Sequence, residues 1–271
     1  MNNPDHNDDK LARYVTDHIE SALAHNEIKV VYEPQVRTAS SEVCGFEALA
    51  RWEDRTYGQL SPKDFVAALE EADKIHILDR GMIRLVCEEY RVRADRGEEM
   101  VPISFNLSWK DFILSDMFTW IEQERSRCGV PTSMLRVEIT ESTIHYDRTA
   151  MNEVVDRFAD AGYHVWMDDF GSGYSSLNVL KDLRFESLKI DMDFLRDMGP
   201  RSMVIIASIV NMAKRLGLHT ISEGVEHAEQ YDFLREIGCD KAQGYYFSRP
   251  LPYAEAVREV RRRGFQLEAV I

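Results

Sequence analysis

The stretch HVWMDDFGSGYSS, residues 164–176, ends an apolar run on Asp168 and Asp169 and then turns through Gly171, Ser172 and Gly173. Burying an unpaired carboxylate costs on the order of several kcal/mol, so two side by side at the end of a buried strand call for a reason. Other β-type runs carry similar residues. Side chains alternate across a strand, which places Asn106 of PISFNLS opposite Ile103, Phe105 and Leu107, and Glu138 of LRVEIT opposite Val137 and Ile139. The same parity sets Lys189 of ESLKID opposite Leu188 and Ile190, and Glu47, Leu49 and Arg51 of CGFEALAR opposite Phe46, Ala48 and Ala50. In HVWMDDF, Asp168 opposes Val165 and Met167, and Asp169 joins it only because the strand ends there. Glu223 stands beside a glycine at the end of HTISEGVE. Glu47, Glu138, Asp168, Asp169 and Glu223 would then converge on little more than Lys189, so cations must come from outside the sequence. Oxygen ligands without convergent Cys or His favour Mg²⁺ or Mn²⁺ over Zn²⁺. Adjacent aspartates can contact two ions, Asp168 bridging and Asp169 binding one, an arrangement suited to activating water against a phosphodiester.

The elements that must position these groups alternate along the chain. The β-type runs are KVVYEPQV, VCGFEALAR, PISFNLS, LRVEIT, HVWMDDF, ESLKID, HTISEGVE and KAQGYYF, and most are separated by helical patterns such as DRGMIRLVCEEYRVRAD and RSMVIIASIVNMAKRLGL. Eight strands interleaved with helices predict a (β/α)8 barrel of the TIM type, with a doubly wound open sheet as the competitor. Only RTASSE separates Val36 from Val43, too short for a parallel crossover, so the first strand runs antiparallel to the second. Residues 1–10 read as a disordered tail, 11–265 as one domain opening on an amphipathic helix over 11–27, and 266–271 as a second tail.

Composition narrows the function classes. A chain of 271 residues with 44% hydrophobic content buries a large core, and its formal net charge of -14 repels nucleic-acid polymers and anionic membranes. Cys44, Cys87, Cys128 and Cys239 lie far apart without metal-site spacing, which suits reduced thiols in a bacterial cytoplasm. No apolar segment is long enough to span a bilayer.

With these residues in place, the chain resembles the EAL family of bacterial cyclic di-GMP phosphodiesterases. The matching words are YEPQV, GFEALARW, GQLSPKDF, SFNLS, VEITES, MDDFGSGYSSL, LKID, SEGVE and QGYYFSRPLP, in order from about residue 12 to 264. The resemblance implies a barrel with its first strand antiparallel and hydrolysis of cyclic di-GMP to linear 5'-pGpG. By position it implies Glu47, Asn106, Glu138 and Asp168 as ligands of one ion, and Asp168, Asp169 and Glu223 as ligands of the other. Lys189 matches the lysine that holds the catalytic water and balances charge, so Glu47, Lys189, Asp169 and Glu223 are the expected catalytic set. Gln243, Arg51, Leu49, Glu33 and Pro250 are expected on the substrate side. Glu141, with Gly171, Ser172 and Gly173, is expected to form a regulatory loop, and the helices flanking that loop to carry a homodimer contact. Calcium is expected to inhibit, because its longer and looser coordination misplaces the water.

One departure concerns chemistry: the family usually has glutamine before the proline of the first strand, where this chain has Glu33. Ala67, Ser172 and Ser222 also replace usual residues, with mild effects expected. The rival functional class is a silent cyclic di-GMP receptor, disfavoured because every metal-ligand position is filled.

Overall fold

The structure, a computed structural model, describes residues 4–140, 148–172, 180–181 and 183–269, with the backbone alone at 4–8 and 148. Ten strands form one sheet: β1 (Ile28–Arg37), β2 (Glu42–Asp54), β3 (Gly58–Leu60), β4 (Ile103–Leu107), β5 (Leu135–Thr140), β6 (His164–Phe170), β7 (Ser187–Ile190), β8 (His219–Ser222), β9 (Lys241–Gln243) and β10 (Gln266–Leu267). Eight of them close a barrel in the order β1, β9, β8, β7, β6, β5, β4, β2, with β1 returning to β2. β1 is antiparallel to both its neighbours, and the remaining barrel pairs are parallel. The reversed first strand follows from the short connection, whose turn places Ser41 at φ 60°.

Three expected boundaries are corrected. The helix expected over 11–27 spans Pro4–Ala24, so residues 4–10 are helical and not a tail. Proline suits a first helical turn, where its missing N–H leaves no bond unmade. At the other end, Gln266 and Leu267 pair in parallel with Glu42 and Val43, so the C-terminal segment adds a strand instead of trailing free. β3 is a further addition, a short antiparallel return onto Trp52–Asp54. Asp54 fixes that turn by accepting from the Thr56 and Tyr57 amides, each at 2.7 Å.

Two apolar clusters hold the elements. The larger fills the space between barrel and helices, with Phe46, Phe105, Val137, Met167, Leu188 and Ile190 as the outward strand residues. The smaller packs Val15, Ile19 and Ala22 of the first helix with Trp52, Phe65 and Leu69. Each fully buried large side chain contributes about 1.5–3 kcal/mol. Gly81 makes the helix contact possible, since a Cβ there would lie 2.4 Å from Leu23 Cδ2. Among the described residues, no helix is long and apolar enough to cross a membrane. With the apolar faces turned to the helices, the barrel interior is left polar: Gln35, Glu138, Ser187 and Lys189 are all at most 1% exposed.

Candidate active site

Neighbouring strands bring the inward-facing residues to one level. Glu33 pairs with Glu47 across β1 and β2, Asn106 with Glu138 across β4 and β5, and Thr140 with Asp168 across β5 and β6. At the centre lies the Lys189 ammonium, 1% exposed. Its Nζ is 2.5 Å from Glu138 Oε2, 2.5 Å from Glu223 Oε1, 3.0 Å from Asp168 Oδ1 and 3.3 Å from Glu47 Oε2. Asn106 Nδ2 donates to Glu47 Oε1 at 2.7 Å, and Gln243 Nε2 donates to Glu47 Oε2 at 2.6 Å and Glu33 Oε2 at 2.9 Å. Parity places Glu47, Asn106, Glu138, Asp168 and Lys189 on the inward face, because the pleat leaves each side chain only two faces.

Asp169 reaches the site by a different device from the one expected. β6 does not stop before it but continues to Phe170, and the β6–β7 register shifts between Met167 and Phe170. Within this irregularity Asp169 takes φ 55°, a left-handed conformation that side-chain-bearing residues rarely adopt. The bulge breaks the alternation and lets two consecutive carboxylates share one face. Asp168 Oδ1 anchors the kink by accepting from the Asp169 amide at 2.9 Å. Such local strain costs on the order of 1–3 kcal/mol and persists where the surroundings enforce it.

The acidic groups fall into two sets, Glu47 with Glu138 and Asp168, and Asp168 with Asp169 and Glu223. Within each set one ligand atom per residue lies within 4.8 Å of the others, and Asp168 belongs to both. All donors are oxygens, which suits hard divalent ions such as Mg²⁺ or Mn²⁺. The side-chain amide of Asn106 offers one more oxygen beside the first set if it turns about its bond to present Oδ1.

The electrostatics show how strongly this ring calls for positive charge. Burial pushes Glu138 up to about 8, with Glu47 and Asp168 adding repulsion against the pull of Lys189. Burial and the adjacent Asp168 push Asp169 up to about 7. Glu223 is raised well above the usual carboxylate range, first by burial and then by Asp168 and Glu47. Glu47 is held low in spite of burial, by Lys189 and the Gln243 and Asn106 amides. Burial also opposes the charge of Lys189, but Asp168, Glu138, Glu223 and Glu47 hold its pKa well above that of free lysine. One ammonium does not neutralise five carboxyls, so protons or divalent cations must supply the remainder.

A cleft opens on either side of the ring, in two lobes that share Leu49, Asp168 and Asp169. One, with a volume of about 320 Å³, is lined by Pro62, Val66, Leu78, Met82 and Asp79. The other, about 290 Å³, is lined by Glu33, Met192, Gly224, Gln243 and Tyr245. Arg51 and Pro250 line neither lobe. The Arg51 guanidinium turns instead to the neighbouring carbonyl, donating to Ala50 O at 2.7 Å. Gly171 and Ser172 follow the bulge at the rim, while Glu141 and Gly173 lie outside the described residues.

Asp79 is a site residue that pattern reading missed. Burial and the Asp111 carboxyl raise it well above the ordinary range, and burial pushes Asp111 up to about 6. Two carboxyls bond one another only by sharing a proton, which accounts for Asp111 Oδ1 having no other partner. The available signal was an acid on the apolar face of a helix, beside Ile75, Leu78 and Met82.

The sequence pattern describing the EAL domain matches residues 16–250. The chain is 33% identical over 238 residues to cyclic di-GMP phosphodiesterase NbdA of Pseudomonas aeruginosa, covering 87% of this chain and 30% of that protein. It is 33% identical over 239 residues to oxygen sensor protein DosP of Escherichia coli, covering 88% and 30%. It thus spans about a third of the length of these curated relatives. Among solved structures, the PaMucR phosphodiesterase in complex with c-di-GMP superposes with a TM-score of 0.83 at 30% identity, covering 89% of this chain and 99% of that one. The EAL enzyme Bd1971 with cAMP and cyclic-di-GMP bound superposes at 0.84 and 27% identity, covering 92% and 69%.

Proposed function

The chain belongs to the EAL domain family, and from that membership we propose that it is a phosphodiesterase hydrolysing cyclic di-GMP to linear 5'-pGpG with two Mg²⁺ or Mn²⁺ ions. The observation that carries this reading is the pair of carboxylate sets hinged on Asp168. Glu47, Glu138, Asp168 and the Asn106 amide would hold one ion, and Asp168, Asp169 and Glu223 the other. Bound there, the ions would lower the pKa of a water and stabilise the charge that develops on the phosphate.

The protein's own groups do the remaining work. Lys189 balances the charge of the ring and offers an ammonium to orient the attacking water. Gln243 fixes Glu47 from the second lobe. The two lobes on either side of the ring suit a ligand with two bases and a phosphate between them. Asp79 lines the apolar lobe and, on giving its proton to Asp111, would accept from guanine N1–H and N2–H, and Leu49 lies between the halves. Arg51 must leave Ala50 O to meet a phosphate, and Pro250 would act only through the rim. The helix Pro200–Leu216 exposes Val204 at 66% and Ile205 at 44%, which supports the proposed homodimer. Against polymeric nucleic acid stands the net charge of -14.

The test is direct. Purified protein incubated with cyclic di-GMP should yield 5'-pGpG by chromatography with Mg²⁺ or Mn²⁺ and none with Ca²⁺. Tight binding with no turnover under any of the three ions would replace the enzyme with the receptor.

A further inference from the structure

One layer below the acidic ring, Gln35 lies on β1, opposite Gly45 of β2, and is fully buried. Its Nε2 sits between two acceptors, Ser104 Oγ at 3.0 Å and Glu138 Oε1 at 3.5 Å. Its Oε1 accepts from Arg136 NH1 at 3.4 Å, which selects the orientation of the amide, since only the nitrogen end can then face Glu138. Arg136 is itself fixed: NH2 donates to Cys44 O at 3.1 Å, and the guanidinium lies 4.9 Å from the centre of the Trp166 ring.

Gly45 makes the space for this arrangement. A Cβ there would lie 2.4 Å from Arg136 NH1, 2.7 Å from Gln35 Oε1 and 3.1 Å from the carbonyl of Pro102. Gly45 and Arg136 stand two residues before Glu47 and Glu138 on their strands, so both point inward one layer beneath those carboxylates. Glu138 is 0% exposed and has its Oε2 committed to Lys189. Its other oxygen is steered from below by Gln35.

We propose that Gln35, aligned by Arg136 in the slot that Gly45 leaves, is a positioning residue for Glu138 and thereby sets the affinity of the first ion site. This inference rests on the two-ion reading above. The amide neither touches the substrate lobes nor offers its oxygen to the ring, so its effect reaches chemistry only through the carboxylate. Groups that hold a metal ligand from the outside typically change metal affinity by about 10–100-fold.

Mn²⁺ binding to the full chain, measured by calorimetry and by electron paramagnetic resonance without substrate, separates the possibilities. Gln35→Leu keeps the bulk and removes both ends of the amide. It should weaken one of the two Mn²⁺ sites by about 10-fold, leave the other near its wild-type affinity, and raise the Mn²⁺ concentration for half-maximal hydrolysis in proportion. Wild-type affinity at both sites in the variant overturns the assignment. A merely structural role would lower the melting temperature without distinguishing the two sites. Should Gln35→Leu not fold, Arg136→Met frees the other end of the amide, and the same selective weakening supports the proposal while unchanged binding overturns it. Wild-type protein that takes up no Mn²⁺ would instead overturn the two-ion reading, and this inference with it.

Discussion

The barrel interior buries charge at two levels and treats it in opposite ways. At the base, the cations Arg136 and Lys241 are 8% and 4% exposed. They lie against the Trp166 ring, with Arg136 Cζ 4.9 Å and Lys241 Nζ 4.3 Å from its centre. Arg136 donates to Cys44 O and to the Gln35 amide, and the Glu186 carboxylate draws on both cations. Burial lowers the pKa of Arg136 and pushes Lys241 down to about 8. At the mouth, four carboxylates crowd one ammonium and a fifth stands beside it, with Glu138 pushed up to about 8. The base is a packing solution, in which π-faces and carbonyls soften a modest electrostatic cost. The mouth accumulates like charge that no packing requirement demands, and such accumulation marks a site built for a ligand of opposite sign.

The strongest way to break that contrast is to remove a mouth carboxylate and lose nothing. Glu47→Ala deletes a group of the first ligand set and the acceptor of both the Asn106 and Gln243 amides. Hydrolysis of cyclic di-GMP under Mg²⁺ should fall by about 10³-fold or more, as when preorganised charge at a reacting centre is removed. Full activity in that variant would mean the ring is not the catalytic centre.

Stability offers the next test, because the two lysines should respond differently. With EDTA present, Lys189→Met leaves four carboxylates facing one another and should cost about 3–5 kcal/mol in denaturant unfolding. Lys241→Met removes a cation that burial disfavours, its pKa pushed down to about 8, and should cost far less than Lys189→Met or add stability. Equal losses would erase the distinction between the levels.

A third test uses pH. A carboxyl whose pKa rises on folding keeps a proton that the unfolded chain has already released, so native stability falls as pH rises. Asp169 near 7 and Glu138 near 8 place that fall between the unfolded values around 4 and about pH 8. In EDTA the melting temperature should drop by about 5 °C or more from pH 5 to pH 8, and saturating Mn²⁺ should flatten the slope. The base predicts no such dependence in this range, since Lys241 begins to release its proton in the native state only near pH 8, before the unfolded chain does. Its contribution destabilises below pH 8 and fades above it, opposite in sign to that of the mouth.

The mouth side of this contrast was legible in the sequence, for a physical reason. Strand parity is a two-state choice, so an alternating run fixes which of Asn106, Glu138 and Lys189 face inward once the barrel is accepted. The reversed first strand was equally forced by the length of RTASSE. What escaped depended on departures from regular geometry or on distant partners. The bulge at Asp169 appears only in the β6–β7 register. The pairing of Asp79 with Asp111 joins two helices whose packing no local pattern encodes. Arg51 shares the inward parity of Glu47 but its guanidinium turns to Ala50 O, and its expected place on the substrate side comes from the resemblance, which parity does not supply. The short pairing of Gln266 and Leu267 carries too little sequence to announce itself as a strand.

The smallest predicted effect sharpens the comparison at its edge, at Glu33. This carboxyl lines the second lobe and accepts from Gln243 Nε2 at 2.9 Å, the nitrogen that also donates to Glu47. Burial pushes it up to about 7, with the Gln243 bond opposing and Glu47 adding repulsion. Below that pH it is neutral and resembles an amide towards a phosphate. Above it the lobe gains a negative charge beside an anionic substrate. KM for cyclic di-GMP should therefore rise by about 3–10-fold between pH 6 and pH 8.5, as one added charge at partly screened distance implies. Glu33→Gln keeps an oxygen for Gln243 and removes the titration, so its KM should stay level across the same range and match the wild type at pH 6. Metal affinity and kcat should move little, because Glu33 belongs to neither ligand set. A KM that rises equally in the variant would place the pH dependence among the ring carboxyls and make Glu33 a bystander.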